Sequence, residues 1–220
     1  MIIQDITLET SYTCGSPFHR DMYIINTVEK MMHGVEQFVE TGSGLGDTLY
    51  CMGLNYPNIP CLSCEADSNR FRLTTAHVSV FPNVTLSDNI SPDCLKNADS
   101  SKKTLFWLDA HGEYVNEFGK PEVFNPLREE LSYVFKNFSD PIVFIDDFAN
   151  PFNPKFLYDV LGGVHLTYSY IKDLIPEGYN IYFPGYTSTE YKGAPWMKGT
   201  LCGWCLICKG DPGLDFLIKG

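Results

Sequence analysis

Three glycines at alternate positions, Gly42, Gly44 and Gly46, stand between a strand-like segment, residues 35–40, and a helix-like one, residues 47–54, that stops at Asn55-Tyr56-Pro57. Glycines so spaced mark a turn in which the backbone takes positive φ and comes close to a ligand. A strand that ends in such a turn and passes straight into a helix opens a βαβ unit, and the architecture that follows is a parallel sheet with helices on its faces. The rest of the chain keeps this rhythm. Strand-like segments recur at 60–65, 84–87, 104–109, 142–146, 180–183 and 201–209. Helix-like segments lie between them at 67–80, 90–97, 125–137 and 153–174, the last interrupted at Gly162-Gly163. Ahead of the glycines, residues 16–34 place Met22, Ile25, Val28 and Met32 at helical spacing, with Val35 just beyond, behind a Ser16-Pro17 start. The expected fold is α/β: a mostly parallel seven-stranded sheet, covered on both faces, whose last two strands form an antiparallel hairpin at one edge.

Length and charge narrow the function. With 220 residues the chain suits one domain, 1–220, with 1–34 as a leading helical segment, and no linker, repeat or low-complexity stretch divides it. A net charge of -11 without a Lys/Arg stripe argues against nucleic acid as a partner. Met1-Ile2-Ile3-Gln4-Asp5 does not read as a signal peptide, and no apolar run approaches the ~20 residues of a membrane span, so a cytoplasmic location and no membrane partner are expected. The eight cysteines include Cys61-x-x-Cys64 and Cys202-x-x-Cys205-x-x-Cys208, whose spacing suits zinc. Both stretches are apolar and strand-like, however, where cysteine serves as a small buried hydrophobe. Cys202-Gly203-Trp204-Cys205 also mimics a redox pair but lacks the helix start that would lower a thiol pKa.

The glycine turn reads Glu40-Thr41-Gly42-Ser43-Gly44-Leu45-Gly46-Asp47, with an acid at the strand end. That acid suits a cationic group such as an α-ammonium better than a pyrophosphate. Glu65 closes the next strand, about twenty residues on, where a carboxylate accepts the two hydroxyls of a ribose. Acids also end strands simply because loops are solvated.

Taken together, these elements resemble the class I S-adenosylmethionine (SAM)-dependent methyltransferases, whose fold is a seven-stranded, three-layer Rossmann-like sandwich. The resemblance runs from about residue 30 onward. It implies that Glu40, Thr41, Gly42, Ser43, Gly44, Gly46 and Asp47 hold the methionine part of SAM, that Glu65 holds the ribose, and that Asp88 and Asn89 border the adenine. Within the class, Phe106-Trp107-Leu108-Asp109-Ala110-His111 resembles a poorly characterised group with a Trp-Leu-Asp-Ala-His stretch, and Asp109 is expected beside the cofactor.

Val143-Phe144-Ile145-Asp146-Asp147-Phe148 closes the fifth strand, so Asp109, Asp146 and Asp147 are expected to converge where open α/β sheets keep their ligands. Three unpaired acids so close call for a cation or for raised pKa values; oxygen ligands suit Mg²⁺, with Ca²⁺ or Mn²⁺ as substitutes. The arrangement is similar to metal-dependent small-molecule O-methyltransferases, although those commonly carry Asp followed by Asn where this chain has Asp146-Asp147. The bland alternative has one aspartate capping a helix and the other bonded to backbone. His111 is the candidate general base, with Asp109 beside it; a metal ligand or a structural loop histidine are the competing roles. The aromatic stretch Tyr182 to Trp196 is either a lid over the acceptor or a hairpin turn packed on the core.

The function expected is therefore methyl transfer from SAM to a small-molecule acceptor, at oxygen, with a divalent metal as a further aid. A SAM-fold protein with other chemistry, such as SAM cleavage, and a non-catalytic SAM sensor are the rivals. Acceptor identity and oligomeric state are not legible.

Overall fold

The structure is a computed structural model and describes residues 17–115, 121–187 and 201–220. A short 3₁₀ turn, Pro17–Arg20, leads into α1 (Met22–Met31). Then come β1 (Gln37–Thr41), α2 (Asp47–Asn55), β2 (Cys61–Glu65), α3 (Ser68–Val78), β3 (Val84–Asp88), α4 (Ser91–Cys94) and β4 (Thr104–Leu108). A small hairpin of β5 (Gly112–Val115) and β6 (Pro121–Phe124) follows, then α5 (Leu127–Asn137) and β7 (Ile142–Asp146). The last third contains β8 (Phe156–Leu157), β9 (Val160–Leu161), β10 (Val164–His165), α6 (Tyr168–Ile171), β11 (Tyr179–Pro184), β12 (Leu201–Cys202), β13 (Trp204–Lys209) and β14 (Leu217–Lys219). Among the described residues no helix is long and apolar enough to cross a membrane.

The main sheet has the order β14-β11-β13-β7-β4-β1-β2-β3. From β3 to β7 every pairing is parallel, and β13 then runs antiparallel between β7 and β11. The expected hairpin is therefore present, but the sheet has eight strands rather than seven, because β14 pairs antiparallel with the outer side of β11. In β1, β4 and β7 every residue is buried, as continuous apolar runs require when helices cover both faces. Alternate residues feed separate cores. Phe38, Leu105, Trp107, Phe144 and Trp204 meet Ile24 and Val28 of α1 and Leu49 and Met52 of α2. On the opposite face Val39, Phe106, Leu108, Val143 and Ile145 meet Leu127, Leu131 and Val134 of α5. The result is three layers, and the fold class read from the sequence holds.

Three local expectations need correction. The leading helix begins at Met22, not Ser16: Asp21 caps it by accepting the Tyr23 N–H at 2.8 Å, while Phe18, His19 and Arg20 lie at φ +50, +55 and +53. The helix read over 153–174 is instead three short strands followed by the single turn of α6. Gly162 and Gly163, at φ +56 and +82, make the tight turn of the β9–β10 hairpin rather than a break in a helix. The strand read as 201–209 is interrupted at Gly203, where a Cβ would lie 2.2 Å from the Phe148 carbonyl oxygen; β12 turns aside there to pair with β8.

Candidate functional site

The chain passes outward from β1 through β2 to β3 and then returns to place β4 on the other side of β1. That reversal leaves a crevice at the C-terminal ends of β1 and β4, the place where open α/β sheets bind ligands. Register fixes what meets there. Thr41 pairs with Leu108, so Gly42 and Asp109 are the next residues on each strand, and the Asp109 N–H donates to the Thr41 carbonyl at 3.0 Å. Contact is so close that a Cβ on Gly42, at φ +77, would lie 2.4 Å from the Asp109 carbonyl oxygen. Only glycine permits this approach.

The glycine turn is tied down on its other side by Glu65. Its carboxylate accepts the Gly44 N–H at 2.8 Å and the Asp67 N–H at 2.8 Å, joining the turn after β1 to the turn after β2. The Thr74 hydroxyl donates to the Gly44 carbonyl at 2.7 Å, and Gly46, at φ +84, starts α2. Glu40 is buried and accepts the Ser63 hydroxyl at 2.8 Å. Burial, and then the neighbouring carboxylates, push its carboxyl up to about 8.

The resulting cleft is lined by Gly42, Gly44, Glu65, Arg70, Asn89, Asp109 and His111 among others. Gly112 and Phe124 of the β5–β6 hairpin wall its outer side. Of the expected cofactor residues, Gly42, Gly44, Glu65, Asn89 and Asp109 thus share one surface. Glu40, Thr41, Ser43, Gly46 and Asp47 form the structure behind it and are not in the lining, and Asp88 is exposed at the end of β3. Arg70 and Ser91 also line the cleft and were missed. Arg70 is in the first turn of α3, and nothing in the local sequence marks it as ligand-facing.

The three aspartates lie close enough to act on one another electrostatically, but their partners differ. Asp146 is committed to His19, whose Nε2 lies 2.7 and 2.9 Å from its two carboxylate oxygens, and it also accepts the Asp147 N–H at 2.9 Å. Against burial, which would raise it, His19 holds the Asp146 carboxyl below the usual range; against burial in the other direction, Asp146 holds His19 well above 6.5. Asp109 and Asp147 are instead brought to His111. The His111 Nε2 stands 4.0 Å from Asp109 Oδ1, 3.9 Å from Asp147 Oδ2 and 4.0 Å from Asp159 Oδ2. These distances exceed a hydrogen bond, and burial lowers the His111 pKa, so the contacts are not ion pairs. Burial, then Asp146 and Asp147, raise the Asp109 carboxyl well above its usual range, and burial, then Asp146, raise Asp147 to about 7. Asp147 adopts φ +45, and its carbonyl accepts the Asp159 N–H at 2.9 Å, which is how the β8–β10 excursion reaches the site.

The described cysteines are all free, and all but Cys202 are buried. Burial pushes Cys61 up to about 12 and Cys208 up to about 11, as expected of small core hydrophobes. Cys202 lies near His19 and Asp147, and its flanks are the strands β12 and β13 rather than a helix start. From the aromatic stretch, Tyr186 is buried; it stacks on Tyr23 at 4.0 Å and accepts the Trp204 indole N–H at 3.2 Å. That part packs on the core, while Ser188 to Trp196 lie outside the described residues.

No protein-family model matches the chain, and no curated protein matches it in sequence. Solved structures do match. Spermidine synthase from Thermotoga maritima superposes with a TM-score of 0.50 at 16% identity over 83% of this chain, which spans only 56% of that protein. The O-methyltransferase TomG from Streptomyces achromogenes, in complex with SAM, gives 0.55 at 12% identity, over 84% of this chain and 78% of TomG. The O-methyltransferase from Bacillus cereus, in complex with SAH, gives 0.55 at 10% identity with the same coverages of 84% and 78%. At such identities the likeness is one of fold: a three-layer Rossmann-like sandwich shared with these O-methyltransferases and with spermidine synthase.

Proposed function

We propose that the chain is a SAM-dependent methyltransferase that methylates an oxygen of a small-molecule acceptor. The observation that carries this reading is the cleft at the β1/β4 switch point, where the bare backbone of Gly42 and Gly44 lies beside the Glu65 carboxylate. The donor set fits SAM. Glycine backbone suits the methionine part, Glu65 suits the ribose hydroxyls, and Asn89 with Ser91 suits the adenine side. When bound, SAM supplies an electrophilic methyl on a sulfonium sulfur.

The chain's own contribution is to orient and to move a proton. Asp109 and His111 line the same cleft and so face an acceptor that enters from the Phe124 side. Burial and the neighbouring carboxylates raise the Asp109 carboxyl, which makes its carboxylate the stronger base for the hydroxyl proton as the new C–O bond forms. Neutral imidazole at His111 adds a polar contact without a competing charge. Holding the acceptor oxygen in line with the C–S bond that breaks is the larger share of the rate enhancement in such a scheme. The net charge of -11 favours a neutral or cationic acceptor over an anionic polymer.

The fold is shared with spermidine synthase, which supports a second reading in which a group other than methyl is transferred. Titration calorimetry of S-adenosylhomocysteine into the full chain, followed by product analysis with SAM and a panel of hydroxylated acceptors, separates the two. Saturable binding and S-adenosylhomocysteine as co-product are expected. Methylthioadenosine as co-product would favour the second reading, and no binding by folded protein would refute both.

A further inference from the structure

Among the groups that line the cleft, the His111 ring nitrogen has surroundings that ask for something more. Its side chain is 2% exposed, and Nε2 is buried with no hydrogen-bond partner. An imidazole withdrawn from water in this way forfeits its solvation unless something binds it. Around it stand three carboxylates at 3.9–4.0 Å, of which Asp109 and Asp147 keep 34% and 32% of their side-chain surface open. The ligand atoms of Asp109, His111 and Asp147 all lie within 4.8 Å of one another. Ligands held at about 2.1 Å from a single ion are separated by roughly 3 Å when adjacent and about 4.2 Å when opposite. The three side chains therefore need to close in by no more than about an ångström each to share one ion.

We propose that Asp109, His111 and Asp147 form a divalent metal site that prefers a first-row transition ion such as Mn²⁺ to Mg²⁺. This set is not the three aspartates that the family resemblance implies. Asp146 is taken up by His19 and an imidazole nitrogen replaces it, with Asp159 4.0 Å from that nitrogen as an additional anionic neighbour. The exchange of an oxygen ligand for a nitrogen one sets the preference, because imidazole suits first-row ions such as Fe²⁺ and Zn²⁺, and Mn²⁺, which also suits carboxylates, sheds its waters for it more readily than Mg²⁺, which demands oxygen. Two carboxylates and one imidazole leave coordination positions open toward the cleft, and the ligand they would take is an acceptor oxygen, hydroxyl or alkoxide. An ion there would lower the acceptor pKa and give Asp109 and His111 the role of ligands, in place of the proton acceptor and the polar contact they provide without it.

The test needs no SAM, so it fails or succeeds separately from the methyl-transfer reading. Metal-stripped full-length chain is titrated with MnCl₂ and, separately, MgCl₂, with binding followed by calorimetry and by the Mn²⁺ paramagnetic signal. One Mn²⁺ per chain is expected, bound about tenfold or more tighter than Mg²⁺. His111→Ala and Asp147→Asn should each weaken Mn²⁺ by about tenfold or more, while Asp173→Asn, on the remote Arg128 pair, should leave it unchanged. A second measurement needs no variant: spin-echo modulation of the wild-type Mn²⁺ complex should report one directly bonded ¹⁴N. Absence of stoichiometric Mn²⁺ binding to the folded wild-type chain, or a Mn²⁺ complex without the nitrogen coupling, would overturn the proposal.

Discussion

Replacing Glu65 by glutamine changes one atom and should loosen the whole glycine turn. The carboxylate accepts two backbone N–H groups at 2.8 Å, from Gly44 and from Asp67. A glutamine side chain has one carbonyl oxygen to offer, so one N–H keeps its acceptor and the other faces an NH₂ donor. A charge-assisted bond is worth about 1.5–3 kcal/mol, and leaving a donor unsatisfied costs about 1–3 kcal/mol. Gly44 is only partly buried, which lets water satisfy part of the loss, so a figure inside the range rather than at its top, about 2 kcal/mol, is appropriate. If that energy holds the turn in its ligand-ready shape, S-adenosylhomocysteine should bind roughly thirtyfold more weakly, since about 1.4 kcal/mol is a factor of ten. Calorimetric titration and urea unfolding of Glu65→Gln measure the two consequences. An unchanged unfolding midpoint together with unchanged affinity would refute the claim that this carboxylate anchors the turn.

Two further perturbations test the electrostatics. Glu40 has its carboxyl at about 8 rather than 4.5, so its favourable contribution is intact below pH 4.5 and is lost as pH rises through 8. Glu40→Gln, which can still accept the Ser63 hydroxyl, should therefore be more stable than wild type in urea at pH 8 by a few kcal/mol and nearly equal to it at pH 5, in the sense of about 1.4 kcal/mol per pH unit of ionisation avoided. An identical difference at both pH values would show that Glu40 does not titrate in this range. His19→Ala leaves the Asp146 carboxylate buried and unpaired and should cost about 3–5 kcal/mol, with part of the loss restored in the His19→Ala/Asp146→Asn double variant. A single variant as stable as wild type would remove the pairing from the account.

The βαβ half of the molecule was legible because its signals are local. Alternate glycines, an acid at the next strand end and apolar strands between helical stretches each lie within a few residues of the structure they specify. Residues 153–174 misled because Phe156, Leu157, Val160, Leu161 and Val164 recur at helical spacing by coincidence. β8 is fixed from elsewhere, by its pairing with β12 about forty-five residues downstream, while β9 and β10 pair with each other across the Gly162-Gly163 turn. Distance along the chain also hid the fate of the aspartates. The Asp146 partner, His19, is 127 residues away on a left-handed turn that no motif announces. Asp159 arrives at the site only because the β8–β10 excursion folds back onto the end of β7. His111 was recognised as chemically interesting from its place after a strand, but its isolation from any hydrogen-bond partner is a property of packing alone.

The insertion of β13 between β7 and β11 has a consequence for how the molecule is made. Synthesis delivers β7 long before Trp204–Lys209 exists, and until then one flank of β7 has no neighbour to bond. The residues waiting there, Ile142 to Ile145, are apolar and buried in the finished sheet, so the nascent chain carries a sticky, half-built border for the time needed to translate some sixty codons. Closure then comes in one stroke, as a late segment slides between two earlier ones and satisfies both. Yield in cells should accordingly depend on chaperone supply and on translation speed across this stretch more than the stability of the finished protein would suggest.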